Sequence, residues 1–374
     1  MLKVKLSYAA LMVSVALGVN SCGGDSSDEP TVSVPFSETT VSVPFSLGIS
    51  DAPVDKTDEV VITIDQVILT PFDGDDDGDD EDDDDDDDDK RETIVIDYFD
   101  GEDTISVNLV DYTGNEQLAI VNESDDIEVP IGHYKMTIVV INDTSYVSYE
   151  NNEAEYDLKV PSSKLKVGSF EMLLEATETP VGPAYTVEFD LRKSLVMRGK
   201  DPEKNGFILR PHGVRVVVNT NSGHIEGDVN LFEEQGIVEL DAECTGPDHV
   251  VYLFEGDQTA DGIELVDFDN PEDVPEGVVQ AFASTLVKLD EDEDDDDVSI
   301  DVDEYEYEFG FVPTGDGSEK DYTLVFACDD TFDDKGIVTP KPKGQKSLVT
   351  VSAGEEAELN FPIGYKGDDD GEDD

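Results

Sequence analysis

The sharpest chemical pattern in the sequence is Asp73-Gly74-Asp75-Asp76-Asp77-Gly78, which follows the D-x-D-x-D-G opening of a calcium loop. Alternate carboxylates at Asp73, Asp75 and Asp77, followed by a glycine turn, let a chain wrap a hard cation with oxygen ligands. Asp84 stands where such a loop supplies its bidentate acid. A run made almost wholly of aspartate contains this pattern by composition alone, however. The reading that composition favours is a disordered loop that gathers divalent cations diffusely, with calcium the one cofactor the residues point to.

Catalytic patterns are thin. His133, His212, His224 and His249 are scattered outside any HExxH spacing, and His133 and His212 flank turns, where local hydrogen bonding accounts for them. There is no GxSxG elbow, no phosphate-cradling loop and no paired Cys/His nucleophile. Acid pairs for glycoside hydrolysis exist by sheer number, yet a chain without tryptophan lacks the best stacking surface for a sugar. The expectation is a protein that is not an enzyme. Positive charge gathers at Arg192, Lys193, Arg198, Lys200, Lys204, Arg210 and Arg215. Pairing with surrounding acids is the favoured reading, and a docking patch for an acidic polysaccharide is the sharper alternative.

Three cysteines frame the export reading. Lys3 and Lys5 precede an uncharged apolar run over residues 6–19, the layout of a secretory signal and too short for a spanning helix. The run ends in Leu17-Gly18-Val19-Asn20-Ser21-Cys22-Gly23-Gly24, which resembles a bacterial lipobox, although Val19 and Asn20 depart from its commonest form. That resemblance implies cleavage before Cys22, lipid on its thiol, and, with Gly23 after it, an outer-membrane lipoprotein held by a non-spanning anchor. Cys244 and Cys328 remain. They are expected to pair in an oxidising compartment, closing a loop worth about 4 kcal/mol in the chain-entropy model; two buried free thiols are the alternative.

The chain carries 93 Asp+Glu against 23 Lys+Arg, a formal charge of −70, which excludes attraction to nucleic acid phosphates. Three runs, 73–89, 290–297 and 368–374, hold 29 of the acids, and the remaining 64 still exceed the bases by 41. The folded parts are therefore acidic as well. Such a surface repels itself unless cations screen it, over a Debye length of about 8 Å at physiological salt.

The elements that must position these residues read as strands. Residues 23–30 have tether composition, and Thr31-Val-Ser-Val-Pro-Phe-Ser-Glu-Thr39 is echoed by Thr40-Val-Ser-Val-Pro-Phe-Ser-Leu-Gly48. The echo is a duplicated linker, or one whose second copy has become an edge strand. Beyond it Val, Ile, Thr and Tyr cluster in short segments between Gly, Pro, Asn and Asp. Tyr134, Met136, Ile138 and Val140 alternate, as do Tyr185, Val187, Phe189 and Leu191, and Val214, Val216 and Val218. Period-two alternation gives each strand one apolar and one wet face. The fold class expected is all-β: two β-sandwich domains after a lipoprotein signal peptide (1–21) and a lipidated flexible tether (22–46), with acidic disordered inserts.

Two family resemblances refine this. Ser50-Asp51-Ala52-Pro53-Val54-Asp55, Val107-Asn108-Leu109-Val110-Asp111, Val129-Pro130-Ile131-Gly132-His133-Tyr134, Phe189-Asp190-Leu191-Arg192-Lys193-Ser194 and Phe207-Ile208-Leu209-Arg210-Pro211 fall in the order of the bacterial domain of unknown function 4382 family. Residues 47–220, with an acidic insert at 73–89, resemble that family, which implies a β-rich secreted lipoprotein with no activity to carry over. Ser222-Gly223-His224-Ile225-Glu226-Gly227-Asp228-Val229 resembles the opening of carboxypeptidase-regulatory-like, prealbumin-like modules, which implies a carbohydrate-binding-like β domain over 221–363, before an acidic tail at 364–374. Residues 239–298 fit that module poorly. The functional expectation is a structural, adhesive or cation-binding surface lipoprotein whose partners are the membrane, through Cys22, and divalent cations. The alternative is a carbohydrate-binding module pair holding polysaccharide, with Tyr146 and Tyr149 as stacking groups.

Overall fold

Period-two patterning and β-branched runs decide the secondary structure. The computed structural model describes residues 41–52, 57–72, 91–99, 102–149, 152–173, 184–199, 201–229, 249–267, 277–289, 305–315, 318–328, 337–341 and 344–361. Its fold is all-β, and the described residues belong to one compact unit. Among them no helix is long and apolar enough to cross a membrane.

The first half runs through β1 (Ser42–Pro44), β2 (Leu47–Ala52) and the 15-residue β3 (Thr57–Pro71). It continues through β4 (Gly132–Val140), β5 (Lys164–Met172), β6 (Tyr185–Asp190) and β7 (Val214–Val218), with shorter strands between. The dense β-branched stretch from Val60 to Leu69 makes β3 the spine of a nine-stranded sheet, since such side chains suit a pleated, buried surface. It pairs antiparallel with β4 along one part of its length and with Tyr146–Tyr149 along another, and β5 continues the sheet beyond β4. A four-stranded sheet of order β7-β6-β2-(Leu118–Val121) completes this half. Within it β2 and β6 are parallel, and β6 and β7 antiparallel. Tyr134, Met136, Ile138 and Val140 are all buried, as their alternation requires, and share one core with Val187, Phe189 and Leu47.

The folded part starts earlier than residue 47. β1 pairs with Glu128–Pro130, Val43 is buried, and Phe45 stacks on Tyr185 at 5.7 Å and packs beside Phe170. Part of the second copy of the nine-residue echo is therefore strand, because its Val43 and Phe45 supply apolar groups that complete the core. The first copy lies outside the described residues.

The second half comprises β8 (Ser222–Asp228), β9 (Val250–Glu255), β10 (Ala283–Leu286), β11 (Tyr305–Pro313), β12 (Glu319–Ala327), β13 (Ser347–Ser352) and β14 (Glu356–Glu358). Two four-stranded sheets, (Lys288–Leu289)-β11-β8-β14 and β10-β9-β12-β13, form a sandwich. Ile225, Tyr307 and Phe309 of one sheet pack with Leu253, Leu324 and Phe326 of the other. The continuous apolar run Val250-Val251-Tyr252-Leu253-Phe254 is buried on both faces of its sheet. Its outer face meets Leu265, Ala281 and Val338 in a second small core. The stretch 239–298 thus supplies β9, a central strand of the sandwich.

Candidate functional site

The functional geometry gathers where the two halves meet. The polar face of β6 was expected to be wet; instead Thr186, Glu188 and Asp190 are buried along with their apolar neighbours. Thr186 donates to Gln117 and Asn219 within the first half, while the second half covers the face around Glu188 and Asp190. Asp190 accepts the backbone N–H of Lys193 at 3.1 Å and that of Ser284, on β10, at 3.3 Å. Glu188 sits directly across from Arg215 on the neighbouring strand and pairs with its guanidinium at 2.7 Å. The guanidinium in turn lies 4.6 Å from the ring centroid of Phe282, and the Lys193 ammonium reaches the Phe282 carbonyl at 3.5 Å.

Burial pushes the Glu188 carboxyl up to about 7, against the pull of Arg215. Burial likewise raises Asp190 above the ordinary carboxylate range and lowers Lys193 below the ordinary ammonium range. Because the folded value of Glu188 exceeds its unfolded one, its contribution to stability is full below about pH 4 and is lost as pH rises through about 7. Thermal midpoints are therefore expected to fall between about pH 5 and about pH 8 at fixed ionic strength, and Glu188→Gln is expected to flatten that slope. Equal slopes in the two chains would show that other acids govern it.

A second contact holds the seam. Ser50 donates to the carbonyls of Tyr112 and Gly114, and the turn so fixed abuts β11. The N–H of Asn115 donates to Glu308 Oε1 at 2.7 Å, and Lys288 Nζ reaches Thr113 Oγ1 at 3.2 Å. Gly310 of β11 lies against the Gly114 carbonyl so closely that a Cβ there would overlap it.

Beside this contact, three adjacent strands aim an imidazole and carboxylates at one point. His224 and Glu226 of β8, and Glu356 of β14, each offer a ligand atom, all within 4.8 Å of one another. His224 Nε2 lies 3.3 Å from Glu226 Oε2, 3.7 Å from Glu308 Oε1 and 3.9 Å from Glu356 Oε2. The i, i+2 spacing places His224 with Glu226, and Glu356 with Glu358, on one face of their strands. The parallel register sets His224 against Glu356 and Glu226 against Glu358, while Glu308 stands across from Glu226 on β11. The β8–β11 ladder slips between Gly223 and Ile225, so Gly310 and Phe311 together oppose His224, and Phe311 takes φ +48°. Bulges of this kind re-aim a side chain beside a site. Burial pushes the Glu226 carboxyl up to about 7, and the neighbouring Glu356, Glu308 and Glu358 carboxylates add to the rise.

Sequence reasoning missed this cluster. The signal was present as His224-x-Glu226 and Glu356-x-Glu358, hidden by the abundance of acids. Of the residues it did single out, Asp73, Asp75, Asp77 and Asp84, with Cys22 and Cys244, lie outside the described residues. Cys328 follows β12 directly, half-buried against the sandwich core, and is engaged rather than free. Three of the seven basic residues meet acids within the chain: Arg215 pairs with Glu188, Lys204 with Asp201, and Lys193 lies beside Asp190. Tyr149, a stacking group for sugar in the sequence reading, is half-buried and packs edge-on against Tyr156 and Phe207 at the margin of the first core.

Fold and seam together define a two-part all-β protein with an imidazole–carboxylate cluster at the join. Residues 42–211 match the family model described as "Domain of unknown function (DUF4382)". No curated protein and no solved structure matches the chain.

Proposed function

We propose that the protein is a non-enzymatic envelope lipoprotein, anchored through lipid on Cys22, whose folded part is a structural element that binds divalent cations. The observation that carries the cation-binding reading is the convergence of His224, Glu226 and Glu356, with Glu308 alongside, on three paired strands. Like charges directly opposite one another on paired strands are destabilising, so this arrangement gains from a cation. The −70 charge favours the same ligand class over the whole surface. The signal-like N-terminus supports export, and the half-buried, engaged Cys328 supports its pairing with Cys244.

Thermal unfolding of the detergent-solubilised full chain, stripped with chelator and then titrated with divalent chlorides at matched ionic strength, tests the reading. A ligand that binds only the folded state raises the midpoint by mass action. The rise is expected to survive deletion of residues 73–89 and to shrink in the Glu226→Gln/Glu356→Gln double variant. A midpoint indifferent to every divalent ion would sink cation binding. A Cys22→Ala chain is expected to leave the membrane fraction, and one that stays there would sink the anchor.

A further inference from the structure

We propose that His224 Nε2, with one carboxylate oxygen each from Glu226 and Glu356, forms a site for a divalent transition ion of the imidazole-accepting class, zinc in the first instance. The proposal rests on the cation-binding reading above and narrows it to one place and one class of ion. Three features select that class. The first is the nitrogen: calcium and magnesium take oxygen ligands throughout, whereas an imidazole suits zinc and its first-row neighbours. The second is spacing. Zinc binds imidazole and carboxylate at about 2.0–2.2 Å in tetrahedral geometry, which sets neighbouring ligand atoms about 3.4 Å apart. The His224 nitrogen lies 3.3 Å from Glu226 and 3.9 Å from Glu356, so small rotamer adjustments close the shell. The third is support.

His224 belongs to a strand paired on both sides, its side chain is only 13% exposed, and the bulge at Gly310 and Phe311 faces it. The carboxylates are more exposed, at 44% for Glu226 and 57% for Glu356, so the fourth position opens to water or to Glu308. Glu308 Oε1, 3.7 Å from the imidazole nitrogen, also holds the Asn115 N–H, which ties the site to the seam between the two halves.

Calorimetric titration of the chelator-stripped, detergent-solubilised full chain with zinc, and separately with calcium, is the test. Zinc is expected to show one tight phase above the shared background of surface carboxylates. His224→Ala and, independently, the exposed Glu356→Gln are each expected to weaken that phase roughly tenfold or more while leaving the calcium isotherm unchanged. Cobalt(II) added to the unmodified chain is expected to give a visible absorption band that His224→Ala removes. A tight zinc phase unchanged in both variants overturns the assignment. Calcium and zinc binding alike, both indifferent to the variants, overturns it too while the broader cation reading stands. Absence of any divalent binding ends both.

Discussion

Arg215→Met is expected to destabilise the folded chain by about 3–5 kcal/mol, read as a drop in the denaturant midpoint at about neutral pH. The guanidinium is the partner of Glu188, whose side chain is only 5% exposed, and it also stacks over Phe282 from the other half. Removing it strands a buried carboxylate and takes away the strongest influence holding Glu188 toward its ionised form. Glu188 then titrates higher still, so the deficit should be smaller in mild acid, where the carboxyl is protonated, than in mild alkali. Adding Glu188→Leu to Arg215→Met is expected to recover most of the loss, since an apolar pair of similar volume replaces a buried ion pair at little cost. A loss independent of pH, or no recovery in the double variant, would show that packing against Phe282 rather than charge sets the effect.

Gly310→Ala is expected to cost about 3 kcal/mol, the upper end of what overpacking usually exacts. The new methyl group meets backbone on the far side, the Gly114 carbonyl and then Asn115, rather than a side chain that can swing away. The turn that carries Thr113, Gly114 and Asn115 must withdraw from β11, breaking the Asn115 bond to Glu308 and the Lys288 bond to Thr113. Hydrogen exchange at the Asn115 amide is the local readout, expected to accelerate in the variant. Unchanged exchange together with an unchanged midpoint would mean that the two halves do not depend on this contact.

Legibility in the sequence followed the range of the forces involved. Alternation at Tyr134, Met136, Ile138 and Val140 reports a local fact, which side of one strand is buried, and the structure agrees. The unbroken apolar run at Val250 to Phe254 likewise signals burial on two faces. Glu188 and Asp190 of β6 were misread as wet because their cover, Phe282 and Ser284, lies about ninety residues away and nothing near β6 announces it. Lys193, Lys204 and Arg215 of the same region were legible as paired, since pairing with nearby acids is the default for charges in an acidic chain. The imidazole–carboxylate cluster needed three strands in register. Its His-x-Glu and Glu-x-Glu spacings are visible in the sequence, but only pairing chooses them from 93 acids.

The parallel pairings carry a kinetic consequence. In the first half β2 lies beside β6, and the Ala184 N–H reaches Ser46 Oγ across 138 residues of chain; in the second, β8 lies beside β14, and the Asp228 N–H reaches Asn360 Oδ1 across 132. Each half thus has, at or near its start, a strand whose neighbour is among the last of that half to be made. Closing such long loops consumes entropy before any contact repays it, and topologies dominated by distant pairings fold slowly. Neither half can lock until its closing strand is available.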